Sequence, residues 1–380
     1  MRIGIMLRTL DEKGGISVYS ENLVRTLIAQ AAEHTLVLFY PGEQHVGRFG
    51  THAHVVERVV PGRNKAIWDQ IAIPRACRRE GVDLLFHPKF TVPLMARVPS
   101  VMVLHGADWF LPEAAQFYTR LDRAYIRTFM PLYLRKAAAV LSVSQLTTDH
   151  FDRIFRMPRG KIRTTYFGPA AHFRRVTDLR RLQAVKLKYR LPDRFILTLS
   201  KVAGGERKNM RGILDAYRRI SQDVDYDLVV GGKGCERFRA DYNIPAEGWG
   251  ARVQFPGWID QRDLPAVYTL ADLFLYPSNQ EAFPIPVTEA MSCGTPIVTS
   301  RANGLAEIAG DAALLVDPTD SGAIADAALR IIYDPELQNR LASAGLERSR
   351  SFSWENCARR TLAVLEECRS RQSRLNARAA

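Results

Sequence analysis

At 380 residues the chain exceeds one ordinary core, and about 150 residues per domain points to two or three domains. Its 47% hydrophobic and 24% charged content exclude extended disorder outside the last residues, 371–380, and no uncharged run reaches the roughly 18 residues that span a bilayer. Five dispersed cysteines without a C-x2-C pair argue against a zinc centre and for a reducing compartment, so the expected location is the cytoplasm.

The formal charge is +13, and residues 1–170 carry 23 Lys and Arg against 14 Asp and Glu. Such a basic half suits an anionic membrane, a phosphorylated lipid carrier or nucleic acid; an arginine-rich coding bias would produce it equally well.

Ile3 to Leu7 reads as a strand, Thr9 to Gly15 as a loop, and Leu23, Val24, Leu27, Ile28 and Ala31 recur at helical spacing. Gly14 and Gly15 stand where the chain turns and a ligand can approach the backbone. Leu36 to Tyr40 and Val82 to His87 read as strands with a basic, irregular stretch between them, and Val101 to His105 as another. His87 and His105 therefore fall at the carboxyl ends of strands, where open α/β sheets bind ligands. Glu113 to Ala139 reads as a long helix, or two, with Phe117, Tyr118, Leu121, Tyr125, Ile126, Phe129, Met130 and Tyr133 among arginines. That pattern fits a face packed on the core or a membrane-surface helix. Val140 to Ser144 is a further strand, and a linker is expected around Ala170 to Val176.

The second half alternates more clearly. Strands are expected at Phe195 to Leu199, Tyr226 to Val230, Val253 to Phe255, Leu273 to Tyr276, Pro296 to Thr299 and Leu314 to Val316, with helices at Arg211 to Ile220, Leu264 to Leu270 and Ser321 to Ile332. This order predicts a parallel sheet with helices on both faces. Lys201, Arg207 and Lys208 lie in the loop after the first of these strands, suited to a phosphorylated ligand. In Tyr276 to Ser300, Pro286 is the expected first helical residue and Gly294 the C-terminal cap. Glu289 then falls in the first turn, where unpaired N–H groups favour a phosphate, and Glu281 lies on the preceding loop. The arrangement suits a molecule with phosphates and sugar hydroxyls.

The segment E-A-F-P-I-P-V-T-E, followed by A-M-S-C-G-T-P-I-V-T-S, resembles the E-x7-E signature of retaining family-4 glycosyltransferases. The resemblance implies an α/β chain of the GT-B type, with two facing Rossmann-like, doubly wound domains. It implies an acceptor-binding domain over 1–172, a nucleotide-sugar-binding domain over 173–352, and a helix over 353–380 returning to the first. By the same resemblance Glu281 contacts donor-sugar hydroxyls, Glu289 the ribose, and His105 the transferred sugar. Gly14 and Gly15, in G-G-I-x-x-Y, would lie over the donor diphosphate and the acceptor. Lys208 matches the family's diphosphate-binding lysine, while Lys201 stands near the usual place of its arginine and Arg207 directly precedes Lys208. Phe283, Pro284, Ile285, Pro286 and Val287 form the donor-binding loop, with one departure: Pro284 replaces a family glycine and has no N–H to offer. Ser300 to Glu307 matches S-x-x-G-x-x-E-I, with Glu307 structural or on the acceptor side.

The implied reaction is retaining transfer of a hexose, mannose among the candidates, from a UDP-, GDP- or ADP-linked donor to a glycan or lipid-linked acceptor. The leaving diphosphate would assist the incoming hydroxyl on the same face. No D-x-D cluster stands out, so neither a metal nor a cofactor is expected, nor nucleic acid as a partner. Peripheral contact with an anionic membrane, at its inner face, is an added expectation. Two readings compete. A nicotinamide oxidoreductase is disfavoured because G-x-G-x-x-G follows neither first strand; a non-catalytic sugar- or nucleic-acid-binding protein is disfavoured by Glu281, Glu289 and Lys208 occurring together.

Overall fold

A computed structural model describes residues 1–12, 14–112, 118–201 and 206–379, with only the backbone for 375–379. The chain divides into two compact units, Met1–Phe167 with Trp354–Ala380, and Gly168–Ser353.

The first unit holds a seven-stranded sheet: β1 (Arg2–Met6), β2 (Thr35–Tyr40), β3 (Val55–Val59), β4 (Leu84–His87), β5 (Ser100–Leu104), β6 (Ala139–Ser142) and β7 (Ile162–Thr164). Its spatial order is β3-β2-β1-β4-β5-β6-β7, parallel throughout. The second unit holds six parallel strands: β8 (Phe195–Leu199), β9 (Asp227–Gly231), β10 (Val253–Gly257), β11 (Leu273–Tyr276), β12 (Ile297–Ser300) and β13 (Leu314–Val316). Their order is β10-β9-β8-β11-β12-β13. Both sheets are doubly wound in the Rossmann manner, and each reverses direction once, between β1 and β4 and between β8 and β11. The central strands are apolar runs such as Ser100–Leu104, buried along their whole length because helices cover both faces.

The irregular stretch expected between Tyr40 and Val82 is corrected: it holds β3 and the helix Ile73–Arg79. As an edge strand, V-V-E-R-V is only partly buried and lacks the continuous apolar run that marks the central strands. Of the long helix, or two, expected over Glu113 to Ala139, the helix Arg120–Lys136 is described, and the Thr119 side chain at its start accepts from the Asp122 N–H. Glu113 to Phe117 lie outside the described residues, as do Val202 to Gly205 of the cationic loop. Ile126, Met130, Tyr133 and Leu134 of this helix are buried in the first unit's core.

The helix Trp354–Ala379 packs in the first unit. Trp354 stacks on Phe167 at 4.8 Å and meets Tyr19 edge-on at 5.6 Å. Arg369 pairs with Asp83 at 2.9 Å and Glu366 with His34 at 2.9 Å. Among the described residues no helix is long and apolar enough to cross a membrane.

Candidate active site

In the second unit the loops that leave β8 and β11 meet where the strand order reverses. Backbone and side-chain hydrogen bonds stitch them together. Asn279 N–H and Ser278 Oγ both donate to the Arg207 carbonyl, at 2.9 and 2.8 Å. Arg207 returns a bond to the Gln280 carbonyl at 3.1 Å, and Asn209 Nδ2 donates to Pro277 at 3.1 Å. This stitching carries Glu281 to the cations. Its Oε2 accepts from Arg207 at 3.1 Å, while Oε1 accepts from Lys208 Nζ, which also contacts the Tyr276 hydroxyl. Tyr276 Oη lies 3.3 Å from Glu281 Oε1.

Burial alone would raise the Glu281 pKa, but Lys208 and Arg207 outweigh it and hold the carboxyl below its usual range. The Lys208 pKa is lowered, first by burial and then by Arg207, with Glu281 opposing. Lys201 is exposed, and its charge adds to the lowering at Lys208.

Glu289 is placed differently. The helix Ile285–Cys293 begins one residue before the expected Pro286 and is closed by Gly294 in the left-handed conformation, φ 73°. Glu289 sits in its second turn, buried, and accepts from the Tyr268 hydroxyl at 3.0 Å. Burial pushes its pKa up to about 7, with only Tyr268 pulling the other way. A carboxylate held with spare acceptor capacity is well suited to a vicinal diol.

The unpaired N–H groups expected at this helix start are corrected. Ile285 N–H donates to Phe283 O at 3.1 Å, and Val287 and Thr288 N–H both reach Pro284 O, at 3.1 and 3.4 Å. Pro284 and Pro286 have none, so the first turn is poor in free donors. Phe283 meets Phe352 edge-on at 6.0 Å, and Val287 is wholly buried in the unit's core.

In the first unit Gly14 caps the helix Gly15–Gln30 at φ 115°, a backbone conformation that favours glycine; a Cβ on Gly15 would meet nothing within 4 Å. His105 follows β5, with Nε2 at 2.9 Å from the Pro88 carbonyl and Tyr19 edge-on at 4.7 Å. Burial lowers its pKa to about 4, so the imidazole is neutral near pH 7. His87 is buried and its Nδ1 donates to Thr91 O at 2.8 Å, a structural bond.

Sequence reading missed a buried pair at the β1 and β4 ends. Arg8 binds Asp69 bidentately, at 2.7 and 2.8 Å, and Thr91 Oγ1 donates to the same carboxylate at 2.8 Å. Beside it Lys89 pairs with Glu12 at 2.5 Å. Tyr268 and Tyr276 were missed too. Tyr276 could have been found as a hydroxyl ending a buried strand; Tyr268, 21 residues from Glu289, left no such signal.

Residues 184–348 match the family model described as Glycosyl transferases group 1, and residues 13–168 the one described as Glycosyltransferase Family 4. The chain is 31% identical to the O-antigen chain mannosyltransferase B of Escherichia coli over 296 residues, 75% of this chain and 74% of that protein. The chain belongs to glycosyltransferase family 4. Another relative of this family-4 enzyme is the serotype-specific mannosyltransferase WbdA of Escherichia coli, 29% identical over 246 residues, 60% of this chain but 29% of that longer protein. In fold it is similar to Anabaena HepE, solved with UDP, at a TM-score of 0.74 and 17% identity, covering 96% of this chain and 99% of that one. The family-4 enzyme is thus a glycosyltransferase of the GT-B type, with two Rossmann-like parallel-sheet units.

Proposed function

We propose that the chain transfers a hexose from a nucleoside-diphosphate sugar to a hydroxyl of a glycan or lipid-linked acceptor, with retention and without a metal. The observation that carries this is the convergence of Lys208 and Arg207 on Glu281, in the same unit as the buried Glu289 carboxyl, whose pKa is raised. Lys208, Arg207 and Lys201 would stabilise charge growing on the departing diphosphate, the main catalytic demand when that diphosphate itself assists the acceptor. Glu281 would hold donor-sugar hydroxyls, Glu289 the ribose diol, and neutral His105 the transferred sugar. Mannose is the first sugar to test, given the mannosyltransferase relatives.

Calorimetry in chelator with UDP, GDP and ADP, and with their sugars, tests the reading. At least one should bind without added metal; binding of none would overturn it.

The outer face of the helix Arg120–Lys136 favours an anionic membrane at the acceptor side. Leu121, 83% exposed, stands there with Tyr125 and Leu132 among the exposed Arg120, Arg127 and Arg135, while its inner residues fill the core. Each cation near such a surface contributes about 1 kcal/mol, giving salt-sensitive attachment. Flotation should show association with anionic vesicles at low salt and release at high salt; equal behaviour with neutral vesicles would leave a soluble acceptor.

A further inference from the structure

A cleft of about 520 Å³ lies in the second unit, lined by Arg218, Ser221, Gln222, Gly248, Trp249 and Arg252. That volume is in the range of small-molecule sites, about 300–1,000 Å³. Chain order puts the cleft at the amino ends of the strands, on the side away from Glu281. The helix Met210–Asp223 starts at the carboxyl rim, where Asn209 Nδ2 donates to the Pro277 carbonyl, and runs back toward the residues that enter β9. At about 1.5 Å per residue Ser221 lies roughly 18 Å along it from Asn209, and Arg252 directly precedes β10.

The charges around the cleft disfavour an anion. Ser221 and Gln222 come from the last turn of the helix, the end at which the peptide carbonyls present partial negative charge. Arg252 is already paired: Nη2 stands 2.9 Å from Asp225 Oδ1, Nε donates to Asp227 Oδ1 at 3.3 Å and Nη1 to the Val224 carbonyl at 3.3 Å. Its guanidinium is thereby a fixed wall without surplus charge. Arg218, the other lining cation, is exposed and stands shortly before the same helix end.

What the cleft does offer is an aromatic floor with a polar rim. Trp249 is half-buried and meets the buried Tyr217 edge-on at 6.4 Å. Gly248 beside it has φ 60°, and a Cβ there would meet nothing within 4 Å, so the space next to the indole is clear. Ser221 Oγ donates to the Arg218 carbonyl at 3.0 Å, which directs its lone pairs to accept, and the exposed Gln222 brings both a donor and an acceptor. An indole bordered by amide, hydroxyl and guanidinium groups, with little net charge, suits a neutral ring that has an apolar C–H face and hydroxyls at its edge. A hexose within a glycan is such a ring. We infer that this cleft is a second glycan-binding site, which holds a hexose against Trp249 with its hydroxyls on Arg218, Ser221 and Gln222, separate from the site of transfer. It needs no nucleotide and goes beyond the donor reading above.

The test is calorimetry on the full chain with α-mannotriose, maltotriose, chitotriose and inorganic phosphate. It compares the wild type with the double variant Arg218→Ala, Gln222→Ala, whose side chains are exposed and whose melting should be unchanged. At least one trisaccharide should bind the wild type, and the double variant should bind it about tenfold more weakly, as removal of two hydrogen-bonding side chains does. The same trisaccharide should change intrinsic fluorescence in the wild type and not in Trp249→Phe. Nucleotide affinity should be equal in the wild type and the double variant. A wild type that binds none of the three sugars, an undiminished affinity in the double variant, or a fluorescence change that persists in Trp249→Phe would overturn the inference. So would a double variant that loses phosphate or nucleotide affinity, since the cleft would then be an anion site or part of the donor site. Absence of nucleotide binding in the wild type would count against the donor reading alone.

Discussion

The carboxyl rims of the two sheets are both rich in charge, yet in one the cations face two carboxylates while in the other two cations converge on one. At the β1 and β4 ends Arg8 faces Asp69 and Lys89 faces Glu12, with His87 and His105 kept neutral by burial. At the β8 and β11 ends Arg207 and Lys208 both pair with Glu281, the Lys201 charge adds to the lowering at Lys208, and burial raises the Glu289 pKa to about 7. A rim whose cations face separate carboxylates can stand by itself, whereas a rim where two cations converge on one carboxylate beside a second, raised one suits, under the proposed function, a ligand carrying phosphates and hydroxyls. The first should therefore respond to mutation in stability, the second in binding and turnover.

The largest effect should come from breaking the first rim. Asp69→Ala takes from the buried Arg8 its bidentate partner and leaves it Glu12 at 3.5 Å, and removing one partner of such a pair typically costs about 3–5 kcal/mol. Chemical denaturation should show it, and a loss below about 1 kcal/mol would mean that Arg8 finds water or another acceptor.

Next is the second rim. Lys208→Ala should lower turnover by on the order of a hundredfold with the melting midpoint little changed, and Lys201→Ala by much less, because Lys201 is exposed whereas Lys208 is held against Glu281. Steady-state kinetics on both variants separates them; equal activities would move the role to Arg207.

The smallest effects separate the two glutamates. Glu289→Ala should weaken free nucleotide by about tenfold, while Glu281→Ala spares it, since only the former would hold the ribose. Wild-type affinity should also fall as pH drops through about 7, because a protonated Glu289 accepts fewer hydroxyl bonds. Glu289→Gln should remove that dependence relative to the titration of the nucleotide itself. Stability runs the opposite way. With the folded value raised above the ordinary 4.5, the group's contribution is fully present below 4.5 and lost as pH rises through about 7. An affinity profile identical in wild type and Glu289→Gln would assign the ribose elsewhere.

Much of the fold and part of the site were legible in the linear chain. Buried parallel strands need helices on both faces, so β11 shows as the uninterrupted apolar run L-F-L-Y and β8 as F-I-L-T-L with one threonine, and both fall where expected. The partly buried edge strand β3 carries no such run and was missed. Glu281, Glu289 and Lys208 were legible because a short loop and a short helix fix their order beside a strand end. Their environments were not. That Glu281 neutralises two cations while Glu289 meets a tyrosine hydroxyl depends on Tyr276 at β11 and Tyr268 in the helix Leu264–Leu270, which only packing brings together.

The sequence alone therefore determined the two parallel sheets and the residue types at their carboxyl ends, because strand burial and helix signals act over a few neighbouring residues. Tertiary structure alone decided the protonation and pairing of those residues. Burial and distance to groups 60 or more positions away, such as Asp69 for Arg8 and Glu281 for Lys208, set those properties. It also decided that Leu121 faces outward while Ile126 faces the core, since one helical period offers both faces and only the neighbouring sheet selects between them.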